Sequence, residues 1–489
     1  MNKSIITISV STILLFVGFQ SATPVEISQR NVLYVDDDNT VGPWDGTLEH
    51  PYQHIYDAVE NASDDDTIRV YAGIYTHEYP LRIDKTLALI GNGSDSTYIK
   101  GSNLKISKDN VIVRGFTIHG YDHNPSTKVC CIKLEKTKNC NINNNTLPIG
   151  LTALELYECT NTLIENNCIL IDSNKPIVYL FSSHHTIMRS NVITNATYGT
   201  YLDHCHDNQI ENNTFGGSST YVGVYVISSD SSIIRRNLFN GCYKGIMLVS
   251  SENMMLIGNK FDDGDRPIDL SSSHNNTIED NILKNIWGFG MNIRTSNRNV
   301  FRRNNITRND LGIALWSSND NIIEENIITN NEGHGIQFDD SNNNTVTRNR
   351  IMENKGTGIL LYGNKNIIKL NSIINNEESG IFVGESADNN IITRNTIQKN
   401  GNTSTYWTNG GVLFYEKSLG NTVTWNTIED NENFGISASS SWVNARFNWW
   451  GSPFGPSRTD HLLRGQRIVS KMSIITAFPW LLFPLAIDE

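Results

Sequence analysis

The chain has 489 residues, a formal net charge of −12 at pH 7 and 38% hydrophobic residues. The acidic balance disfavours nucleic acid and anionic membrane surfaces as partners, because both repel an acidic body. Length alone predicts two or three domains, but an internal repeat favours one continuous unit instead.

The N-terminus has the pattern of a secretory signal peptide. Lys3 precedes an apolar run from Ile5 to Phe19, and small residues follow. This order predicts a signal over residues 1–22 and a secreted or cell-surface protein with no membrane span once the signal is removed. An uncleaved anchor is the alternative.

Residues 30–125 are predicted to form an N-terminal cap and the first units of the repeat. Within them, Asp57-Ala58-Val59 lies in a short amphipathic segment after Pro51. We expect this segment to be a helix over the first unit, because the open end of a repeat array exposes strand edges and core.

A repeat of 22–24 residues, with one interval of 31, runs through residues 126–450. It is marked by asparagines that each open an Asn-x-(Ile/Leu/Phe/Trp) triplet, namely Asn145, Asn167, Asn191, Asn213, Asn237, Asn259, Asn281, Asn304, Asn326, Asn349, Asn371, Asn395, Asn426 and Asn448. A fixed period of this length indicates a solenoid, in which each unit buries its apolar face only against its neighbours.

Each period contains short bursts of alternating apolar residues separated by small or polar ones. Gly312–Leu315 is followed by Asn321–Ile323 and then by Asn326–Ile328. Period-2 bursts predict strands, and three short strands with three turns fit one rung of a right-handed, single-stranded parallel β-helix. Stacked asparagines are expected to hydrogen-bond along the axis as a ladder.

A glycine recurs before the first strand of ten rungs, from Gly199 to Gly435. We expect it to occupy a turn that needs positive φ.

Seven cysteines lie between Cys130 and Cys242, and none has the spacing of a C-x-x-C metal site. Two of them, Cys159 and Cys205, fall where other rungs have an inward serine, and are predicted to fill that position. One disulfide among Cys130, Cys131 and Cys140 is an open possibility. The stretch from Asp203 to Asp207 looks metal-binding at first sight, but the inward Cys205 argues against a metal site.

Two columns of residues are predicted to point outward from the strand after the glycine. The first column is Glu155, Tyr179, Tyr201, Tyr225, Met247, Asp269, Asn292, Ala314, Gln337, Leu360, Phe382 and Leu413. The second column is Tyr157, Phe181, Asp203, Ile227, Val249, Ser271, Arg294, Trp316, Asp339, Tyr362, Gly384 and Tyr415. About half of these residues are aromatic or large aliphatic, which on an outward face is typical of a binding surface.

Aromatic faces stack on sugar rings, so these columns predict a polysaccharide-binding face. The predicted binding residues are Tyr201, Tyr225, Trp316, Tyr362 and Tyr415, together with Trp407 in the insertion around residues 402–409. The alternative is that loops fold over this face and bury it.

Charged residues on the same face are candidates for chemistry. Asp269, Arg294 and Asp339 are candidates for an acid/base site, with Arg294 expected about 8–10 Å from each carboxylate. Asp262, Asp263 and Asp265 precede Asp269, and these four are candidate calcium ligands. Ordinary surface charges are the alternative in both cases.

The apolar tail from Ile474 to Ile487 is shorter than a membrane span and contains Pro479 and Pro484. Residues 451–489 are therefore predicted to form a C-terminal cap.

The rungs resemble the parallel β-helix repeats of the pectin-lyase superfamily, particularly its NosD-like, carbohydrate-binding and sugar-hydrolase group. Further similarity lies in Tyr34–Asp38, Pro51–Val59, Asp66–Val70 and Gly73–Tyr75 near the start, and in Asn448–Gly451, Gly455-Pro456 and Pro479–Leu481 near the end. The resemblance spans nearly the whole mature chain. It implies the fold and leaves the activity open, because the superfamily includes lyases, hydrolases, epimerases, binding modules and scaffolds.

Three functions therefore remain open. The first is a secreted protein that binds a polysaccharide and, if it is an enzyme, cleaves it as a lyase or glycoside hydrolase. The second is a non-catalytic structural surface protein. The third, which the NosD-like resemblance implies, is copper-site maturation; it is disfavoured because Met, His and Cys do not cluster on an accessible face.

Overall fold

The computed structural model describes residues 31–101, 103–120, 129–171, 173–217, 219–402, 409–457 and 465–484. The predicted signal peptide and Trp407 lie outside these ranges. The described residues contain one helix, Ile55–Asn61, which buries Ile55, Ala58 and Val59 against the first strands. The helix predicted over the first rung is therefore confirmed. In the described part of the chain, no helix has both the length and the apolar character needed to cross a membrane.

The strands form three sheets, and every strand pairing among the described residues is parallel. Sheet 1 has 19 described strands: Val32–Val35, Asp66–Val70, Leu87–Gly91, Ile112–Arg114, Asn141–Asn143, Leu163–Glu165, Ile187–Arg189, Gln209–Glu211, Ile233–Arg235, Met255–Ile257, Thr277–Glu279, Val300–Arg302, Ile322–Glu324, Thr345–Thr347, Ile367–Lys369, Ile391–Thr393, Asn421–Thr424, Trp442–Asn444 and Ile474–Thr476. Sheet 2 has 16: Gly73–Thr76, Thr97–Lys100, Thr117–His119, Thr146–Ile149, Cys168–Ile169, Val192–Thr194, Thr214–Gly216, Leu238–Asn240, Lys260–Asp262, Ile282–Lys284, Asn305–Thr307, Ile327–Thr329, Arg350–Met352, Ser372–Ile374, Thr396–Gln398 and Thr427–Glu429.

Sheet 3 carries the two outward columns, and its strands from Leu81–Ile83 to Ile436–Ser439 each pair with the corresponding strand of the next rung. Its strands within the described ranges are Leu81–Ile83, Leu104–Ile106, Ile132–Glu135, Leu154–Tyr157, Ser173–Phe181, Ala196–Asp203, Val222–Ile227, Lys244–Val249, Arg266–Ser271, Phe289–Arg294, Leu311–Trp316, Ile336–Asp339, Ile359–Tyr362, Ile381–Val383, Val412–Phe414, Ile436–Ser439, Pro456–Ser457 and Gly465–Lys471. The chain is a right-handed parallel β-helix, as the repeat predicted.

The predicted asparagine ladder is present in the turn between sheets 1 and 2. Nδ2 of Asn326 donates to the carbonyl of Phe301 and to Oδ1 of Asn349, each at 2.9 Å. Oδ1 of Asn326 accepts the backbone N–H and Nδ2 of Asn304 at 2.9 and 3.0 Å. The same pattern joins all fourteen predicted asparagines, and each is at most 1% exposed. These side chains supply the partners that buried turn backbone requires.

Further ladders occupy the other two turns, and the sequence reasoning missed them. One ladder runs through Asn276, Asn299, Asn321, Asn344, Asn366, Asn390 and Asn421. Another runs through Asn309, Asn331, Asn354, Asn376, Asn400 and Asn431. The signal was available, since these asparagines repeat with the same period. They lack the Asn-x-apolar triplet in some rungs and were therefore overlooked.

The cysteines predicted to replace a ladder serine do so. The backbone N–H of Ser183 donates to Sγ of Cys205 at 3.4 Å, and the N–H of Cys205 donates to Oγ of Ser229 at 2.8 Å. Cys159 likewise donates its backbone N–H to Ser183. Both cysteines are fully buried, which confirms the predicted inward position.

The disulfide considered among Cys130, Cys131 and Cys140 is not formed. Cys130 and Cys140 are both free thiols. Sγ of Cys130 accepts a hydrogen bond from Asn103 at 3.3 Å, and Sγ of Cys140 donates to the carbonyl of Lys108 at 3.5 Å. Burial raises the pKa of each of these two thiols to about 11, so neither is a reactive thiolate near neutral pH.

Positive φ is adopted mainly by polar residues, many of them immediately before a ladder residue. In one rung these are Ser317 at 47°, Asp320 at 59°, Glu325 at 57° and Asn330 at 57°. The left-handed conformation is costly for such residues, and the ladder hydrogen bonds of the following residue offset that cost.

The glycines before the sheet 3 strands serve a different purpose from the one predicted. None of the ten, Gly335 included, has a positive φ. A Cβ on Gly335 would lie 2.6 Å from the carbonyl oxygen of Gly358 and 2.6 Å from Cγ2 of Ile351. The positive-φ prediction was wrong: these positions need glycine because the next rung and the core approach too closely for a side chain.

The rungs continue beyond Trp450. Gly465–Lys471 pairs with Ile436–Ser439 in sheet 3, and Ile474–Thr476 pairs with Trp442–Asn444 in sheet 1. The described part of the predicted C-terminal cap therefore adds another rung to the solenoid, because its strands repeat the pairing of the rungs before it.

Candidate functional site

The two outward columns of sheet 3 have the predicted register. Glu155 pairs with Tyr179, Tyr179 with Tyr201 and Tyr201 with Tyr225, and the first column continues in this way to Leu413. The second column pairs from Tyr157 through to Tyr362. Period-2 alternation across a fixed rung therefore placed these side chains correctly.

A continuous group of aromatic rings covers the N-terminal half of this face. We call it the tyrosine face, and it consists of Tyr157, Tyr179, Tyr198, Tyr201, Tyr221, Tyr225, Tyr243 and Trp287. Ring centroids are 5.8 Å apart for Tyr157–Tyr179, 5.6 Å for Tyr179–Tyr201 and 4.7 Å for Tyr201–Tyr225. These neighbours are tilted or edge-to-face, which is a favourable geometry for aromatic pairs.

Four members of the tyrosine face were missed by the sequence reasoning. Tyr198, Tyr221, Tyr243 and Trp287 precede the recurring glycines by one to three residues and so lie outside the two columns. Tyr198 packs 5.9 Å from Tyr201, Tyr221 stacks on Tyr243 at 4.9 Å, and Tyr243 meets Trp287 at 5.3 Å. Trp287 is 58% exposed and Tyr221 is 44% exposed, so these two rings border the face where it meets solvent.

The hydroxyls of Tyr179 and Tyr201 stay protonated at neutral pH. Burial, followed by the charge of neighbouring Tyr225 and Asp203, raises the pKa of Tyr201 to about 12. Burial and the carboxylate of Asp203 also raise the pKa of Tyr179, whose hydroxyl donates to Asp203 at 3.2 Å. Each protonated hydroxyl can donate and accept a hydrogen bond.

Asp269 lies in an outward column but is completely buried. Its carboxylate accepts hydrogen bonds from Nζ of Lys244 at 2.7 Å, Nδ2 of Asn292 at 3.0 Å and Nη2 of Arg294 at 3.1 Å. The expected separation of 8–10 Å between Arg294 and Asp269 was wrong, because the long side chains of the adjacent rungs reach over this position. With three donors and no exposure, Asp269 is placed as a structural counter-ion.

A second aromatic group lies beyond this ion pair. Nε1 of Trp316 donates to Asn292 at 3.1 Å, and the Trp316 ring lies 6.4 Å from Phe289. Further along, Tyr362, Phe382 and Tyr415 form a chain of rings with centroid separations of 5.9 and 6.0 Å.

The register places Asp339 between Trp316 and Tyr362 in the second column. Asp339 is partly exposed. Of the three predicted acid/base candidates, it is the one whose carboxylate a ligand on this face can reach directly, because the Asp269 carboxylate is buried.

The predicted calcium ligands do not converge. Asp262 pairs with Lys284 at 2.9 Å and Asp265 lies 3.2 Å from Arg266, while Asp263 caps the backbone N–H of Gly264. Asp269 is held by Lys244, as described above. Over the part of the chain that the structure describes, no group of three or more His, Cys, Asp or Glu side chains is placed to hold a metal. The calcium site stays a prediction without a gathered ligand set.

Histidines near the turns use Nδ1 to bind the next rung. Nδ1 of His184 accepts the backbone N–H of His206 at 3.1 Å, Nδ1 of His206 accepts that of Asp230 at 3.2 Å, and the two rings stack at 5.2 Å. His334 accepts the N–H of Thr357 at 2.9 Å in the same way. Because Nδ1 is an acceptor in each case, the neutral ring carries its proton on Nε2. Neither nitrogen is then free to bind a metal without rearrangement.

These contacts predict that the melting temperature falls as pH drops below about 6.5. Burial lowers the pKa of His184, His334 and His77, the last to about 4. The unfolded chain takes up protons from about pH 6.5 downward, whereas the folded state resists them until its lower pKa values are reached. The contribution of these neutral histidines to stability is therefore fully present above about pH 6.5. It is lost as the pH falls toward their lowered pKa values in the folded state. Calorimetry between pH 8 and pH 4.5 measures this loss.

A matched variant separates the turn histidine from other acid effects. Asn297 occupies the same turn position in a later rung and its Oδ1 accepts the N–H of Asn319 at 2.7 Å, so His184→Asn preserves the hydrogen bond without a titrating group. We expect a shallower pH dependence with an unchanged melting temperature at pH 8. An unaltered pH profile would contradict the role of His184.

Comparisons with known proteins agree with the fold. A family model described as "Right handed beta helix region" matches residues 287–397, and one described as "Periplasmic copper-binding protein (NosD)" matches residues 102–287. No curated protein matches the sequence.

Solved structures that match this chain include the following three. The PL6 family alginate lyase AlyGC is 12% identical, with 91% of this chain and 85% of that chain covered and a TM-score of 0.43. The catalytic domain of a GH87 alpha-1,3-glucanase in complex with tetrasaccharides is 13% identical, with 60% and 63% covered and a TM-score of 0.42; this chain thus spans less than two thirds of its length. PfbA, a surface adhesin of Streptococcus pneumoniae, is 12% identical, with 63% and 87% covered and a TM-score of 0.37.

The three parallel sheets and the internal ladders define this molecule as a parallel β-helix protein. The two family models, each matching part of the chain, agree with a parallel β-helix of the pectin-lyase-like kind.

Proposed function

We propose that this protein binds a polysaccharide along the outward face of sheet 3, in a compartment outside the cytoplasm. The observation that carries the proposal is the tyrosine face, in which eight aromatic side chains form one connected surface over successive rungs. An extended polymer suits such a surface, because each rung repeats the same contact about 4.8 Å further along the axis. The periplasmic description of one matching family supports the location.

The chemistry of the face fits sugar rings. Aromatic rings bury the C–H faces of a sugar, and the neighbouring protonated tyrosine hydroxyls meet its hydroxyl groups. Sheet 1 provides the contrast within the molecule, because its outward face carries ion pairs such as Glu165–Arg189 and Glu279–Arg302. The tyrosine face, in contrast, groups its aromatic rings along one side of the solenoid, as a binding surface requires.

Binding is expected to depend on the exposed rings. In a glycan array followed by titration of each hit, Trp287→Ala should weaken binding roughly fivefold, which corresponds to the loss of about 1 kcal/mol of stacking. Trp316→Ala and Tyr362→Ala test the second aromatic group in the same way. The matched control is Trp442→Ala, because Trp442 is 56% exposed on sheet 1 and should leave binding unchanged. A glycan that binds wild type and all four variants equally well would place the site elsewhere.

Whether a bond is broken is decided by product analysis on any bound glycan, with and without Ca²⁺. Asp339→Asn is the informative variant, since Asp339 lies between Trp316 and Tyr362 with its carboxylate partly exposed. Loss of product with retained binding would make the protein a lyase or glycoside hydrolase with its acid or base there. Binding without product from wild type supports a binding protein, and no binding of any glycan supports the structural alternative.

The match to the copper-binding family favours a second candidate, copper-site maturation. The histidines that use Nδ1 for backbone contacts do not supply ligands for it. Titration with Cu(I) and Cu(II), with bound metal measured by mass spectrometry, tests this candidate separately from glycan binding.

A further inference from the structure

Cations at both borders of the tyrosine face are already paired with carboxylates of the protein. At the N-terminal border, Nζ of Lys133 forms an ion pair with Glu135 and lies 4.8 Å from the centroid of the Tyr157 ring. At the C-terminal border, Nε of Arg266 lies 3.2 Å from Asp265. An acidic ligand would therefore have to displace a protein carboxylate to reach either cation.

Two further cations near the C-terminal border are held by the buried Asp269. Nζ of Lys244, whose side chain is 8% exposed, lies 2.7 Å from its carboxylate, and Nη2 of Arg294 lies 3.1 Å from it. Drawing either cation toward a ligand would weaken the compensation of a buried charge, which is strongly unfavourable. These two cations therefore serve the fold and are not available to a ligand.

Two carboxylates of the outward columns lie among the tyrosine rings. Asp203 accepts the hydrogen bond of the Tyr179 hydroxyl at 3.2 Å and lies 2.6 Å from Nδ1 of His204, with its side chain 22% exposed. Glu155 pairs in register with Tyr179 and accepts a hydrogen bond from the hydroxyl of Thr152 at 2.7 Å. Both present negative charge to a ligand on this face, and the whole chain adds to the repulsion with a formal net charge of −12.

Lys175 is an exception among the cations. It is exposed at the start of the strand Ser173–Phe181, beside Pro176, which pairs with Tyr198. Its ammonium group has no anionic partner among the described residues. One cation at the border can meet one charge of a ligand, whereas the charges of a polyuronate repeat with every sugar.

We propose that the ligand of the tyrosine face is an uncharged polysaccharide and that the face discriminates against polyuronates. This inference rests on the proposed function and adds the class of glycan to it. Sugar hydroxyls can take the place of water at the tyrosine hydroxyls, because both kinds of hydroxyl donate and accept hydrogen bonds. A uronate carboxylate would lose its hydration without gaining a free cation, and it would lie near Asp203 and Glu155.

The test compares pairs of glycans that differ only at C6 of each sugar. Glucan, mannan and galactan are the neutral members, and the same chains oxidised to uronates are the acidic members. In calorimetric titrations at low ionic strength, we expect a neutral member to bind and its uronate to bind roughly tenfold more weakly or not at all, because like charges repel. The affinity for the neutral member should not change with added salt, since its binding forms no ion pair.

Two variants and a control assign the discrimination to the face. Asp203→Asn should narrow the difference between neutral and acidic members by about threefold, because it removes one carboxylate from among the rings. Lys175→Gln should leave binding of the neutral member unchanged. The control is Asp230→Asn, because Asp230 is 42% exposed in the turn after sheet 3, away from the rings; it should leave the ratio of the two affinities unchanged. Circular dichroism checks that each variant is folded.

A uronate that binds as well as its neutral counterpart, or better, would overturn the inference. Loss of binding in Lys175→Gln would do the same, because it would mean that the ligand needs a free cation. Either result leaves the tyrosine face as a glycan-binding site. The glycan array gives a separate result: hits that are all acidic overturn the inference alone, whereas an array without hits contradicts the proposed function itself.

Discussion

Asp269→Asn is expected to destabilise the protein by about 3–5 kcal/mol, the usual consequence of leaving one partner of a buried ion pair alone. The carboxylate is 0% exposed and the side chain of Lys244 is 8% exposed, so solvent cannot replace the lost charge. The amide NH2 group of asparagine would also face a hydrogen-bond donor of Lys244, Asn292 or Arg294, where the carboxylate had an acceptor. Chemical denaturation followed by circular dichroism measures the change.

Two further variants show whether the effect comes from burial of the charge. Asp339→Asn, on the same face but partly exposed, should change stability by less than about 0.5 kcal/mol. The double variant Lys244→Met with Asp269→Leu should recover most of the loss, because it removes both buried charges and Arg294, 41% exposed, can turn to solvent. If Asp269→Asn is as stable as wild type, Asp269 is not the counter-ion that the structure indicates.

Asn326→Leu is expected to cost about 2–4 kcal/mol, because it removes four hydrogen bonds from a buried turn. Two backbone groups would lose their partner, the carbonyl of Phe301 and the N–H of Asn304. The side-chain amides of Asn304 and Asn349 would each lose the hydrogen bond that they make with Asn326. Leucine keeps the branched shape of asparagine but is larger, so some overpacking adds to the loss of hydrogen bonding. A lower denaturation midpoint with an unchanged spectrum is the expected result.

Asn305→Leu is the control one residue beyond the ladder. Asn305 points outward on sheet 2, where its partners in the neighbouring rungs are Ile282 and Ile327. Leucine there continues an existing apolar column and should be nearly neutral. Equal losses for Asn305→Leu and Asn326→Leu would mean that the ladder contributes nothing specific to stability.

The site could be predicted from the sequence only in part. Tyr201, Tyr225, Trp316 and Tyr362 lie where the alternation placed them, and the first two belong to the connected tyrosine face. Asp269 was predicted to be a candidate for chemistry on an outward face, and its burial was not predicted. Alternation assigns a side chain to the inside or the outside of a strand, but it does not say whether neighbours will cover it.

The aromatic residues that were not predicted from the sequence show the same limit of period-2 alternation. Trp287 and Tyr243 lie in turns, where a period of two gives no direction for a side chain, and only the path of the backbone brings them together at 5.3 Å. Likewise, the sequence shows that glycine recurs at Gly335 but does not show why. The group that excludes a Cβ there is the carbonyl of Gly358, which belongs to the next rung.

The sequence by itself determined the rung length, the parallel register and the inward asparagine ladder, because all three repeat at one period and each rung contacts only its neighbours. Only the tertiary structure decided which outward residues are exposed, because Lys244 and Arg294 reach across from adjacent rungs to bury Asp269.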